Sequence, residues 1–436
     1  MPTRPTDSEL GLNPGDMDSR TLLPNRDSFY YDVKPLIEKA DTGKFALVLL
    51  VIDIEGVDFI LRTFGPLERD MAIREVGQRI QDAAQEETTP YHINQERFAV
   101  LLQNGSFMHA TQRAEALAEV LREPFKVAGI FYHLDAFVGI SHYPNHADSL
   151  SELVRTGVFA CHQAHESESR YATYDRAIDE EERYRFRLML DLEQALDEER
   201  GIRLAYQPQV NLQTGDCVGV EALCRWEHTS KGHIPPGQFL PFVEQSPLMM
   251  PLTEAILGIG LRDLNRWQKQ DFEGSMAINL SSALFRRSDM LERLLDHFRY
   301  ANMAMEQIHF EVTETGIMDQ PKRAVHTLSE IRERGSQIAV DDFGTGHSSL
   351  AYLADLPIDI IKIDMYFVQN LDKPWGRAIV SAAATLADKL GLVSIAEGIE
   401  DEQQLDQCRE LGVTIGQGFH IGRPMFREAF EGWLGV

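Results

Sequence analysis

The chain has 436 residues, 43% of them hydrophobic and 25% charged, which is ordinary globular material with room for two cores. Its formal charge of −26 speaks against nonspecific binding to DNA or RNA, whose phosphates need a basic surface, but leaves open a small anionic substrate held by metal ions. The longest apolar run, Phe45 to Ile52, is too short to span a bilayer. Cys161, Cys217, Cys224 and Cys408 form no CxxC pair, which argues against a zinc site or disulfide framework and fits a reducing cytoplasm.

Residues 1–20 are polar and acidic, with Pro and Gly but no apolar centre, and read as a flexible leader. From residue 21 to 174 the pattern is that of a compact α/β unit. A buried strand is expected over Phe45–Asp53, then a helix over Leu67–Ala84 with Met71, Ile73, Val76 and Ile80 as core contacts. A hairpin follows at Tyr91–Ile93 and Phe98–Leu102, then a helix over Thr111–Leu121, more strand in Phe125–Ile140 and a helix over Leu150–Ala164. The HxxH pair His162 and His165 stands alone and reads as helix surface. Residues 175–200 form a charged helical joint, with Leu188, Leu190, Leu192 and Leu196 supplying an apolar side as it runs into the first helix of a second domain.

From residue 201 to 436 strands and helices alternate. Strands are expected at Arg203–Val210, Cys217–Trp226, Met276–Ser281, Ile308–Thr313, Gln337–Asp341, Ile358–Ile363, Leu392–Ala396 and Val413–Ile415. About eight strands joined mainly by helices have the rhythm of a (β/α)8 TIM-like barrel. The short turn at Thr214–Gly215 makes the opening pair an antiparallel hairpin.

The chemistry lies where polar residues interrupt these strands. Glu221 sits in VGVEALCRW, Asn279 in AINLS, and Glu311 after His309–Phe310 with Glu314 three residues on. Asp341 and Asp342 close QIAVDD, Lys362 lies in IDIIKID, Glu397 ends VSIAE and Gln417 ends TIGQG. In a barrel the strand C-termini converge on one mouth. Neighbouring residues of a regular strand point to opposite faces, so Asp341 and Asp342 can share a site only where the strand stops. A lone strand acid is usually a rim residue, but acids on so many strand ends are hard to obtain from surface patterning. Clustered carboxylates repel unless cations offset them, and oxygen-only ligands select hard ions such as magnesium, manganese or calcium. Two such ions roughly 3.5–4 Å apart suit in-line attack on a phosphodiester.

These residues carry a resemblance. Residues from about 183 to 434 resemble the EAL-domain phosphodiesterases of bacterial cyclic di-GMP signalling, through Glu221–Ala222–Leu223, YQPQV, INLS, FEVTET, DDFGTGHSS, LPIDIIKID, AEGIE and GQGFHIGRP in the right order. The resemblance implies hydrolysis of cyclic di-GMP to linear pGpG with Mg2+ or Mn2+, and Ca2+ as an inhibitory ion. It implies metal ligation by Glu221, Asn279, Glu311, Asp341 and Asp342. Lys362 would position or activate the attacking water, Glu397 would support the second metal and the water network, and Gln417 would complete the catalytic shell. Arg225 would grip a substrate phosphate, Gln207 would contact substrate, and Glu314 would hold the DFGTG loop in shape. His347 stands where the family often has an aromatic residue. A homodimer through the EAL domain is also implied. The competing reading is a receptor that binds cyclic di-GMP without cleaving it.

Residues from about 19 to 175 resemble the GGDEF diguanylate cyclase domain in worn form, through LLPNR, LLVIDIEGVDFI and ERFAVLL. Its signature hairpin here reads Asn94–Gln95–Glu96–Arg97–Phe98, without the two glycines that admit a nucleotide. Asp53 matches the first metal-binding aspartate. Leu61 and Arg62 replace the guanine-reading Asn and Asp, and Gln85 and Thr88 replace the ends of the inhibitory RxxD motif. The resemblance thus implies an inactive domain, regulatory or structural, ahead of an active phosphodiesterase.

Overall fold

The computed structural model describes residues 14–41, 46–84, 88–103, 106–344 and 356–435. The start of the leader, Phe45, Gln85, Gly346 and His347 lie outside the described residues. The chain divides into two compact units, Met1–Arg183 and Tyr184–Val436.

The first unit contains β1 (Leu47–Glu55), β2 (Pro90–His92), β3 (Arg97–Gln103), β4 (Phe125–Val127), β5 (Ile130–Tyr132), β6 (Asp135–Tyr143) and β7 (Tyr171–Thr173). Five of these make a sheet in the order β2-β3-β1-β6-β7, antiparallel except for β6–β7, while β4 and β5 form a separate hairpin. The central strand reads LVLLVIDIE because both of its faces are covered. Val48, Leu50, Ile52 and Ile54 pack with Ile73, Val76 and Ile80, whereas Leu47, Leu49 and Val51 pack with Phe29, Val33 and Leu153. Met71 is a correction: it is 58% exposed on the helix Pro66–Ala83, whose buried face runs through Ala72, Ile73, Val76 and Ile80. Glycine is required at 139 on β6, since a Cβ there would sit 2.1 Å from the carbonyl oxygen of Gly157 on the helix Leu150–His165. His162 and His165 lie exposed near the end of that helix.

The helix Arg176–Asp197 is anchored at its start within the first unit. Buried Asp179 accepts hydrogen bonds from Arg155 at 2.7 and 3.1 Å and from the Tyr174 hydroxyl at 2.8 Å. Further along, Leu188 and Leu192 are buried and Leu196 is partly buried in the core of the second unit. Leu190 is a second correction, 49% exposed. It lies two residues from Leu188 and Leu192, about 200° around the helix from each, so it cannot share their face.

The second unit adds β8 (Ile202–Asn211), β9 (Cys217–His228), β10 (Gly232–Ile234), β11 (Ser275–Asn279), β12 (Ile308–Thr313), β13 (Gln337–Phe343), β14 (Ile360–Ile363), β15 (Val393–Ala396), β16 (Ile415–Gly416) and β17 (Met425–Phe426). The order β9-β11-β12-β13-β14-β15-β16-β8 closes on itself through β8–β9, giving an eight-stranded α/β barrel. Only β8 runs antiparallel to its barrel neighbours. Outward side chains such as Val220, Ile278, Phe310, Ile338 and Ile361 pack against the surrounding helices. On the opposite face Ala339, Ile360 and Ile395 make a small apolar plug with Val393 and Ile415. β11 stops at Asn279, and β16 is Ile415–Gly416 rather than Val413–Ile415. β13 does not stop at Asp341 but continues to Phe343 across a shift in register.

Candidate active site

The strand period of two sets the inward row. Glu221 and Arg225 share one face of β9, His309 and Glu311 one face of β12, Ala339 and Asp341 one face of β13, and Ile360 and Lys362 one face of β14. On β13 and β14 the chemical residue thus lies one step beyond a packing residue, and Glu397 and Gln417 follow directly on β15 and β16.

Lys362 is the centre, fully buried. Its Nζ lies 2.8 Å from Glu311 Oε2, 2.8 Å from Glu397 Oε1, 3.1 Å from Asp341 Oδ1 and 3.8 Å from Glu221 Oε2. Burial alone would lower the lysine pKa, but Glu221, Glu311, Glu397 and Asp341 overcome it and hold the ammonium protonated. One cation does not neutralise four carboxylates. Burial, reinforced by the neighbouring acids, pushes Glu311 well above the usual carboxylate range and Glu397 up to about 8, against the pull of Lys362. For Glu221 burial also raises, yet Lys362 with hydrogen bonds from Gln417 and Asn279 holds it below the ordinary value.

Two features of the cluster match a cation. Glu311 is 1% exposed and its Oε1 has no hydrogen-bond partner among the described residues, a costly state for a buried carboxylate oxygen. Beside it, carboxylate oxygens of Asp341, Asp342 and Glu397 lie within 4.8 Å of one another. The β13 register shift makes this possible. Asp342 takes a left-handed backbone, φ +55°, which Asp tolerates better than most residues, and so two adjacent carboxylates turn to one side. Burial, then Asp341 and Asp364, raise the Asp342 pKa, and Asp364 hydrogen-bonds it.

Amides frame the acids. Asn279 Nδ2 donates to Glu221 Oε1 at 3.0 Å, and Gln417 Nε2 donates to Glu221 Oε2 at 2.6 Å and to Gln207 Oε1 at 3.1 Å. Gln209 Nε2 donates to Gln417 Oε1 at 2.9 Å. Gln207 lies opposite Glu221 in the β8–β9 register and donates to the Gly422 carbonyl. Glu314 Oε2 accepts from the Gly344 amide at 3.0 Å, at the root of the glycine loop. Arg225 is half-buried, with Nη1 donating to the Cys224 carbonyl, and burial lowers its pKa. The structure therefore brings Glu221, Asn279, Glu311, Asp341, Asp342, Lys362, Glu397, Gln207 and Gln417 together, with Arg225 further along the Glu221 face and Glu314 on the Gly344 amide. Sequence reading passed over Gln209, Asp364 and His309. The i, i+2 spacing of YQPQV was the available signal for Gln209, and the same spacing to Glu311 was the signal for His309.

In the first unit, Asp53 is paired with Arg97 at 2.6 Å. A side chain of the signature hairpin thus supplies the positive charge beside this aspartate.

A closed barrel whose mouth gathers acids, amides and one buried lysine defines an α/β-barrel protein with an oxygen-rich, cation-seeking site. The chain belongs to the EAL-domain family: the EAL domain model matches residues 189–424, preceded by a match to the diguanylate cyclase GGDEF domain over residues 15–170. A cyclic di-GMP phosphodiesterase of Pseudomonas aeruginosa is 32% identical over 96% of this chain and 71% of its own length. The bifunctional diguanylate cyclase/cyclic di-GMP phosphodiesterase MucR of the same organism is 30% identical over 94% of this chain, which spans 60% of that relative. Among solved structures, the PaMucR phosphodiesterase in its c-di-GMP complex is similar at 36% identity, covering 56% of this chain and 99% of that one with a TM-score of 0.54. Among the described residues no helix is long and apolar enough to cross a membrane.

Proposed function

We propose that the barrel hydrolyses cyclic di-GMP to linear pGpG with Mg2+ or Mn2+, and that the GGDEF-like unit makes no cyclic di-GMP. The observation that carries this reading is four carboxylates crowded on the single ammonium of Lys362, one of them with a buried oxygen that has no hydrogen-bond partner among the described residues. That donor set fits hard divalent ions. Glu221, Asn279, Glu311, Asp341 and Asp342 would hold them. The ions, when bound, would stabilise charge on the phosphoryl oxygens and lower the pKa of water.

The remaining work falls to the chain. Lys362 is held protonated, so it donates, and its part is to orient the attacking water rather than to deprotonate it. Glu397 Oε1, 2.8 Å from Nζ, fixes that ammonium from the mouth side and completes the water network. Gln417 holds Glu221 through its 2.6 Å hydrogen bond, and Gln209 in turn fixes the Gln417 amide. Arg225, with its forked donors, would grip a phosphate, and Gln207 would touch substrate. Water adds to one phosphorus while the bond from that phosphorus to the ribose 3′ oxygen breaks, leaving a 5′ phosphate and a free 3′ hydroxyl. Glu314, bound to the Gly344 amide, keeps the loop root in place.

The Asp53–Arg97 pair and the Asn94–Gln95–Glu96–Arg97 hairpin support an inactive first unit. A cytoplasmic setting is consistent with the four free cysteines. A homodimer through the barrel is supported by exposed Met365, Tyr366, Trp375 and Ile379 following β14. Incubation with cyclic di-GMP and Mn2+, followed by chromatography, should yield pGpG, and incubation with GTP should yield no cyclic product. Binding without turnover would favour the receptor reading and overturn this one.

A further inference from the structure

Two residues before Glu311, on the same face of β12, sits a buried imidazole. His309 is buried, one strand step before the acid on β12, and is paired in register with Gln337, whereas Glu311 is level with Ala339. Its Nδ1 lies 3.3 Å from the Ser275 hydroxyl on the neighbouring strand β11. Among the described residues its Nε2 has no hydrogen-bond partner, and it lies 3.9 Å from Glu311 Oε1, which has none among them either. Two orphaned, buried polar atoms therefore face each other, and an apolar residue at 309 would avoid the cost of burying one of them.

We propose that His309 is a positioning residue for the cation site: the Ser275 hydroxyl donates to Nδ1, which leaves the proton on Nε2, and this N–H supports Glu311 Oε1. Closing the gap from 3.9 Å to a hydrogen bond takes a shift of about 1 Å. Glu311 would then be held at both oxygens, by Lys362 on Oε2 at 2.8 Å and by His309 on Oε1, which retains a lone pair for a cation. An outer partner that fixes a ligand in this way characteristically alters metal affinity about 10- to 100-fold. The inference rests on the reading of the barrel as a metal site.

The test is Mn2+ binding by the full-length protein, followed by calorimetry and by the electron paramagnetic resonance of free Mn2+, with no substrate present. His309→Leu is expected to weaken Mn2+ binding about 10- to 100-fold. His309→Gln, whose amide N–H reaches in the same direction, is expected to restore most of that loss. A simple packing role predicts no such difference between the two substitutions, and equal affinities would overturn the proposal. If His309→Leu does not fold, judged by near-UV circular dichroism, Ser275→Ala decides. A weaker Mn2+ affinity, about 3- to 10-fold, supports the relay, and an unchanged one sinks it. Failure of the wild-type protein to bind Mn2+ would instead refute the metal-site reading, which keeps the two failures separate.

Discussion

The barrel mouth and the GGDEF-like sheet each carry an acid beside a base, and they differ in arithmetic. At Asp53 a single carboxylate meets a single guanidinium, Arg97, at 2.6 Å. At Lys362 a single ammonium meets four carboxylates, all with little exposure to solvent. Paired charges are complete without help, whereas an excess of buried negative charge is stable only with protons or cations. The lesson is that one acid is matched by a base of the chain itself, while the other cluster keeps an excess of negative charge.

The strongest way to break this contrast is to remove an acid or the base at the barrel mouth. Glu221→Ala and Lys362→Met are each expected to cut pGpG formation about 10³-fold or more, with the far-UV circular dichroism of the wild type retained. Normal turnover by either variant would refute the site. Next in size is the ion itself. Chelation should abolish turnover, and Mn2+ at about 100 times its dissociation constant should add about 2.7 kcal/mol to stability in denaturant titrations. Replacement by Ca2+, with its looser geometry, should restore the stability but not the turnover.

A third measurement sharpens the comparison through pH. Glu397 has a folded pKa pushed from 4.5 up to about 8, so the metal-free native state holds a proton that the unfolded chain releases. Its contribution to stability is present below pH 4.5 and is lost as pH rises towards 8. Cations compete with that proton, so Mn2+ affinity should strengthen over the same range. A metal-free stability that climbs from pH 5 to 8 would contradict this. The smallest effect is expected at the matched pair. Arg97→Ala should change pGpG formation less than about 2-fold, because the pair lies in the first unit rather than among the barrel residues, and a partly exposed ion pair contributes only about 0–1 kcal/mol.

Much of this was legible in the chain. Apolar patterning located all eight barrel strands, because strands must bury a face at their own period, but it passed over the helices Arg26–Ala40, Val57–Phe64, Pro236–Val243 and Arg427–Leu434. It failed at Met71 and Leu190, where an apolar residue sits on the wrong side of a helix, and composition alone does not reveal which side is inward. It placed the end of β13 too early. The expected stop is instead a shift in register with a left-handed Asp342, and that conformation depends on neighbouring strands.

The sequence by itself determined that acids and amides punctuate strand after strand, and hence that a polar mouth would form wherever those strand ends met. Only the tertiary structure decided the charge balance there. Lys362 and Glu311 are 51 residues apart in the chain but 2.8 Å apart in space, and Gln417 and Glu221 are 196 residues apart but 2.6 Å. Barrel closure makes those distances, since β8 pairs with both β9 and β16 and so joins the first strands to the last. It also buried His309 and Glu311, where each polar atom must find a partner or bear the loss of water.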